Sequence, residues 1–148
     1  MEPIRNKTLD CKRIVIKIGT SSLMLADGSV NYQTIDRLAY VLTVLRNQGK
    51  EIVLVSSGAI GVGLNHLNLP HRPKSIPEQQ AVASVGQAEL MNLYTRFFSH
   101  YNQIVGQILM TLDIVQFPES RRNAVNAFEQ LLKMGIIPIV NENDAVSV

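Results

Sequence analysis

Tryptophan is absent from this 148-residue chain, and the other aromatics are sparse, at four Tyr and four Phe. That leaves too few flat faces for a base-stacking platform of the kind that grips single-stranded nucleic acid. A net charge of +2 is too small for a surface that holds nucleic acid or an acidic membrane. With one cysteine, Cys11, no internal disulfide can form, and a reducing cytoplasm is the expected compartment. No apolar run reaches the length that crosses a bilayer, and Met1 to Asp10 lack the apolar centre of a secretory leader. The expectation is a soluble, cytoplasmic protein with neither nucleic acid nor membrane as partner. His66, His71 and His100 have no metal-ligand spacing, so no metal residue is expected. Neither Gly-x-Ser-x-Gly nor Gly-x-x-x-x-Gly-Lys-Ser/Thr occurs, which removes a nucleophile elbow and a Walker loop.

What is present suits one globular domain. Apolar residues make up 46% and charged residues 18%, enough to bury a core and too apolar for disorder. Arg13 to Ile18 reads as a first strand ending at Gly19. Ile35, Leu38, Leu42 and Leu45 recur at three- and four-residue steps, one face of a helix stopped by Gly49. Residues 51–55 give a second strand, apolar from Ile52 to Val55. Asn65 to Pro77, with three prolines, reads as a loop. Ser75 and Glu78 have capping-box spacing for a helix to about His100, with Ala81, Val85, Ala88 and Met91 on one face. Gln103 to Met110 reads as a third strand, and Ala124, Phe128 and Leu131 as a helix closed at Gly135. Ile136 to Val140 is the last strand, with Pro138 pointing to a bulge or a sheet edge. Strands alternating with helices predict an α/β fold, a mostly parallel sheet with helices on both faces.

Ligands of such sheets sit beyond the C-terminal ends of the strands. Three polar clusters fall there: Lys17 to Ser22, Ser56 to Gly61, and Asn141 to Asp144. Where the second strand breaks into Ser57-Gly58-Ala59 and resumes as a helix, unpaired N–H groups and the helix dipole attract an anion. Which anion is left open, and an isolated Ser-Gly pair equally suits an N-cap and a tight turn. Lys17 can set its ammonium over the same crevice, with Gly19-Thr20-Ser21 offering backbone donors to phosphate, or it can snorkel to solvent. Asn141 can donate to a carboxylate and Asp144 can pair with an amine, although turn chemistry also favours these residues. Together the groups suit phosphoryl transfer onto a carboxylate. Such an acceptor is already ionised at neutral pH and needs no general base, only cations and donors that offset the repulsion of two anions.

With these residues in hand, the chain resembles the N-terminal part of the glutamate-phosphorylating members of the amino acid kinase family. The likeness is carried by VIKIGTSSL (15–23), VLVSSGAIGVG (53–63), AVASVGQAELM (81–91) and IPIVNENDAVSV (137–148). It implies ATP-dependent phosphorylation of the L-glutamate side-chain carboxylate to L-glutamyl 5-phosphate, the first step of proline biosynthesis. It implies ATP with Mg2+, Lys17 as the catalytic lysine on the phosphates, and Gly19, Thr20 and Ser21 lining them. Ser57, Gly58, Ala59, Asn141 and Asp144 would bind glutamate. Proline as feedback inhibitor and a homo-oligomer are further implications of the resemblance. Leu112 departs from it mildly, standing where related chains often carry a basic residue. The larger departure is that a Gly-Asp-Asn-Asp type segment and the nucleotide-gripping part do not follow NENDAV. Residues 1–12 then read as an N-terminal extension, and 13–148 as the glutamate-binding lobe of an incomplete kinase domain. The alternatives are a non-catalytic fragment that binds glutamate or proline, and a family member with another substrate.

Overall fold

Four apolar residues in succession, Ile52 to Val55, suit a strand covered on both faces. In the computed structural model, which describes residues 11–141, they lie in the inner strand β2 (Glu51–Ser56) of a four-stranded sheet. The other strands are β1 (Arg13–Ile18), β3 (Val105–Ile108) and β4 (Ile137–Asn141). Their order across the sheet is β1-β2-β4-β3, and every pairing is parallel. Between them run α1 (Thr20–Leu23), α2 (Tyr32–Asn47), α3 (Ala59–His66), α4 (Ile76–Ser99), α5 (Leu112–Gln116) and α6 (Pro118–Lys133). The expected α/β architecture is therefore present.

The two faces of the sheet are covered unequally. Ile18, Ile52, Leu54, Ile137 and Ile139 point into the main core, against Ile35, Ala39 and Leu42 of α2 and Leu90, Leu93, Tyr94 and Phe98 of α4. On the other face Val53, Ile108 and Val140 form a smaller cluster with Phe128, Leu131 and Leu132 of α6, with Val55 beside them. Val15, on β1, remains 63% exposed. Gly106 sits where a Cβ would come within 3.2 Å of Leu131 Cδ2, so the bare backbone lets α6 settle close to β3.

Local signals set the helix limits. Asn31 Oδ1 accepts the Thr34 N–H at 3.2 Å to start α2, which ends before Gly49 at φ +92°. Ser75 Oγ accepts the Glu78 N–H at 3.3 Å to start α4, with Pro77 in its first turn.

Three expectations need correction. The buried side of α4 is Val82, Ala83, Gly86, Leu90, Leu93, Tyr94 and Phe98, whereas Ala81 and Ala88 are exposed. This helix is apolar on more than one side, so spacing alone chose a neighbouring stripe. The third strand is only Val105–Ile108: the Gln103 N–H still bonds Phe98 O at 3.1 Å at the end of α4, and its buried side chain donates from Nε2 to the carbonyls of Ile104 (2.8 Å) and Gly135 (2.9 Å). Pro138 lies in an inner strand, not at an edge. The Ile137 N–H bonds Ile104 O on the β3 side, so the proline nitrogen faces β2, where pairing begins only at Ile139. The missing donor falls one residue before that ladder begins, so it interrupts none of the pairs that follow.

Candidate functional site

The register brings Lys17, Ser56 and Asn141, one residue from each predicted cluster, to one edge of the sheet. Lys17 pairs with Val55, Ile18 with Ser56, and Ser56 with Asn141, so β1, β2 and β4 end side by side. Ser56 and Asn141 share the face of the main core, and both are buried. Lys17, one residue off in alternation, leaves β1 on the face of α6 and is exposed. The edge thus separates a cation on one side from buried polar groups on the other.

The turn between β2 and α3 is built around Gly58, at φ +103°. Gly58 is the N-cap of α3 and supplies no side chain to cap it. The N–H groups of Gly58, Ala59, Ile60 and Gly61 have no acceptor among the described residues, and the first bond of the helix is Val62 N–H to Gly58 O at 3.0 Å. Four donors at the start of an eight-residue helix make a corner with positive potential. Gly19 is the N-cap of the single turn α1, closed by Ser22 N–H to Gly19 O at 3.1 Å. The two turns touch: a Cβ on Gly58 would lie 3.1 Å from Leu23 Cδ1 and 3.7 Å from Thr20 Cα. Gly19, Thr20 and Ser21 are therefore neighbours of Ser57, Gly58 and Ala59 in space.

Side chains around the corner are unequal in what they offer. Ser57 is anchored to β1 twice, its N–H to Ile18 O at 3.1 Å and its Oγ to the same carbonyl at 3.3 Å. Its hydroxyl proton is spent, which leaves oxygen lone pairs to accept from a ligand donor. Asn141 is 9% exposed, and both Oδ1 and Nδ2 lack a partner among the described residues. A buried amide left so costs about 1–3 kcal/mol per unmade bond, and a ligand with one donor and one acceptor would recover it. Asp144 lies outside the described residues. His66, His71 and His100 are exposed, and the described residues bring no three His, Cys, Asp or Glu together as a metal site.

Two contributors carry no motif of their own. Tyr94 is fully buried, and its hydroxyl is 2.7 Å from Ser56 Oγ. The only sequence signal was a tyrosine on an apolar helix, since a buried phenol needs a partner. Gly86 faces the backbone of Ala59; no periodicity argument assigns a glycine to a site. Burial pushes the Tyr94 phenol from 10.0 up to about 12, against the opposing hydrogen bond with Ser56. Native and unfolded states both keep the proton below pH 10, so the contribution is complete there. Between pH 10 and about 12 the unfolded chain releases it first, and stability should fall by about 3 kcal/mol. Urea melts across this range should show that extra slope in the parent and not in Tyr94→Phe; equal slopes would remove it.

Comparison with known proteins fits this geometry. The model of the amino acid kinase family matches residues 12–148. A glutamate 5-kinase of Enterococcus faecalis is 64% identical over 145 residues, 98% of this chain and 54% of that protein. Glutamate 5-kinases of Listeria innocua and Lactiplantibacillus plantarum are 61% and 55% identical, covering 98% and 96% of this chain and 52% and 54% of their own. The chain spans about half the length of the curated relatives it matches. A solved isopentenyl phosphate kinase superposes with a TM-score of 0.58 at 10% identity, over 88% of this chain and 57% of that one, a likeness of fold alone. No helix among the described residues is long and apolar enough to cross a membrane. By the match that runs from residue 12 to residue 148, the chain belongs to the amino acid kinase family.

Proposed function

We propose that this chain forms the glutamate-binding side of an ATP-dependent kinase that converts L-glutamate to L-glutamyl 5-phosphate. The observation that carries the reading is the corner itself: four N–H groups and a buried Asn141 amide, all without a partner among the described residues, at the C-terminal edge of a parallel sheet. The likeness to glutamate 5-kinases supplies the substrate. In this reading Gly58 and Ala59 hold a glutamate carboxylate on their N–H groups with the Asn141 amide beside them, and the Ser57 hydroxyl oxygen accepts from the ammonium together with Asp144. Lys17 neutralises the transferring phosphoryl group from the other face, and Gly19, Thr20 and Ser21 line the ATP phosphates. Mg2+ with ATP belongs to the same proposal and would neutralise phosphate charge; among the described residues no carboxylate cluster is present to hold it. Inhibition by proline and a homo-oligomer built through this domain belong to the same proposal and rest on the same likeness, as does division into an extension at 1–12 and a lobe at 13–148.

Calorimetry tests the substrate side. The chain should bind L-glutamate, and L-aspartate, one methylene shorter, about tenfold or more weaker. A version extended at its C-terminus to the length of the relatives should form glutamyl hydroxamate from ATP, L-glutamate and hydroxylamine. No binding, or equal affinity for aspartate, would overturn the substrate; no hydroxamate would overturn the kinase.

A further inference from the structure

A hydroxyl group has one proton to give, and this fixes the direction of a short chain of hydrogen bonds beneath the corner. Ser56 Oγ donates to the Ser57 carbonyl at 3.0 Å. Its contact with Tyr94 at 2.7 Å must then be donated by the tyrosine. The order is Tyr94 O–H to Ser56 Oγ, then Ser56 O–H to Ser57 C=O. We propose that Tyr94 is a positioning residue: through Ser56 it holds the peptide between Ser57 and Gly58 with its carbonyl inward and its N–H toward the ligand. This inference rests on the reading of the corner as a glutamate-carboxylate site.

The need for such a hold comes from Gly58. In a trans peptide the carbonyl and the following N–H point in opposite directions, and the described residues contain no cis bond. Turning the Ser57 carbonyl toward Ser56 therefore turns the Gly58 N–H away from it, into the crevice. Reversing that peptide rotates ψ of Ser57 and φ of Gly58, and a glycine accepts φ of either sign. Gly58 stands at +103° with no Cβ to resist the change. The reversed form would present a carbonyl oxygen to an incoming carboxylate, replacing attraction by repulsion.

Ser57 cannot prevent reversal, because its own N–H and hydroxyl both bind Ile18 O and fix the preceding peptide instead. The restraint is left to Ser56, whose hydroxyl could rotate to other acceptors without a donor behind it. Tyr94 supplies that donor from a rigid seat. It is 0% exposed, packs beside Phe98 at a ring-centroid distance of 6.4 Å, and belongs to the main core. Its raised pKa keeps the phenol protonated at every pH where the protein would work.

The experiment compares the parent chain with Tyr94→Phe, Ser56→Ala and the double variant, with Leu42→Val as a core control. The phenylalanine keeps the ring and its magnetic effect on neighbours, so changes report the hydroxyl. Nuclear magnetic resonance should show the Ser57 carbonyl carbon and the Gly58 amide shifted in Tyr94→Phe and unmoved in Leu42→Val. Calorimetry on folded protein should show L-glutamate binding weakened by about five- to tenfold, the worth of about one hydrogen bond. The double variant should be no weaker than the poorer single one, since both residues act on one carbonyl. If Leu42→Val weakens binding as much at equal loss of stability, or if the Ser57–Gly58 resonances stay in place in Tyr94→Phe, positioning is overturned while the site stands. If the parent itself does not bind L-glutamate, the reading of the site falls, and the two resonances alone decide the role of Tyr94.

Discussion

Gly86→Ala should destabilise the chain by about 2–4 kcal/mol, although alanine ordinarily improves a helix by about 1 kcal/mol over glycine. The reversal of sign comes from where the new methyl group would go. A Cβ on Gly86 would overlap the Ala59 carbonyl oxygen and lie 2.6 Å from its carbon and 2.7 Å from the Gly63 nitrogen. All three are backbone atoms, so no side chain can swing aside; α4 must move off α3. Gly63 repeats the contact in reverse, its Cβ direction running into Val82 O and to 2.9 Å from Val82 Cγ1. The helices therefore cross on two glycines, and neither can grow. Because Ala59 opens α3, the displacement also reaches the anion corner, and L-glutamate affinity should fall with stability. Urea denaturation of Gly86→Ala beside Ser84→Ala, an exposed position on the same helix, measures the effect. Ser84→Ala should stay within about 0.5 kcal/mol of the parent. A Gly86→Ala loss below about 1 kcal/mol would mean that the crossing has slack.

That crossing marks the boundary of what the sequence made legible. Elements with a strong period were clear: Ile35 and Leu42 do face the core from α2, and the apolar run of β2 is an inner strand. The break at Ser57-Gly58 and the helix after it were readable, because the apolar run Ile52 to Val55 followed by small residues has few other outcomes. The stripe on α4 was not, since Val82, Ala83, Val85 and Ala88 give hydrophobic signals in several directions and Gly86, which defines the contact, gives none. Pro138 misled for a related reason. Proline removes a donor, but which neighbour loses it depends on register, and the loss falls one residue before β4 begins pairing with β2. At the site, the residue types were legible and their alignment was not. That Ser56 pairs with Asn141, and that Lys17 sits on the opposite face, follow only from strand order and register. Tyr94 lies 38 residues from Ser56 in the chain, and a hydroxyl pair at that separation leaves no local pattern.

Lys17→Ala should lower hydroxamate formation by about 100- to 1000-fold in the chain extended to the length of its relatives, with L-glutamate affinity changed less than about twofold. The asymmetry follows from alternation along β1. Ile18 shares a face with Ser56 and Asn141, where the glutamate carboxylate is proposed to lie, and Lys17 shares the other with Val55. A side chain leaving on the far side contributes little to the acceptor before ATP arrives. Its charge counts when two anions approach and negative charge collects on the transferring group, so its removal costs the transition state more than the ground state. Lys17→Arg should recover only part of the rate, because a planar fork replaces a compact ammonium on a flexible stem. Raising the salt concentration should weaken ATP saturation in the parent more than in Lys17→Ala, as screening acts on a charge that only the parent has. Rate and glutamate affinity falling together in Lys17→Ala would place this lysine on the acceptor and refute the division of the site between the two faces.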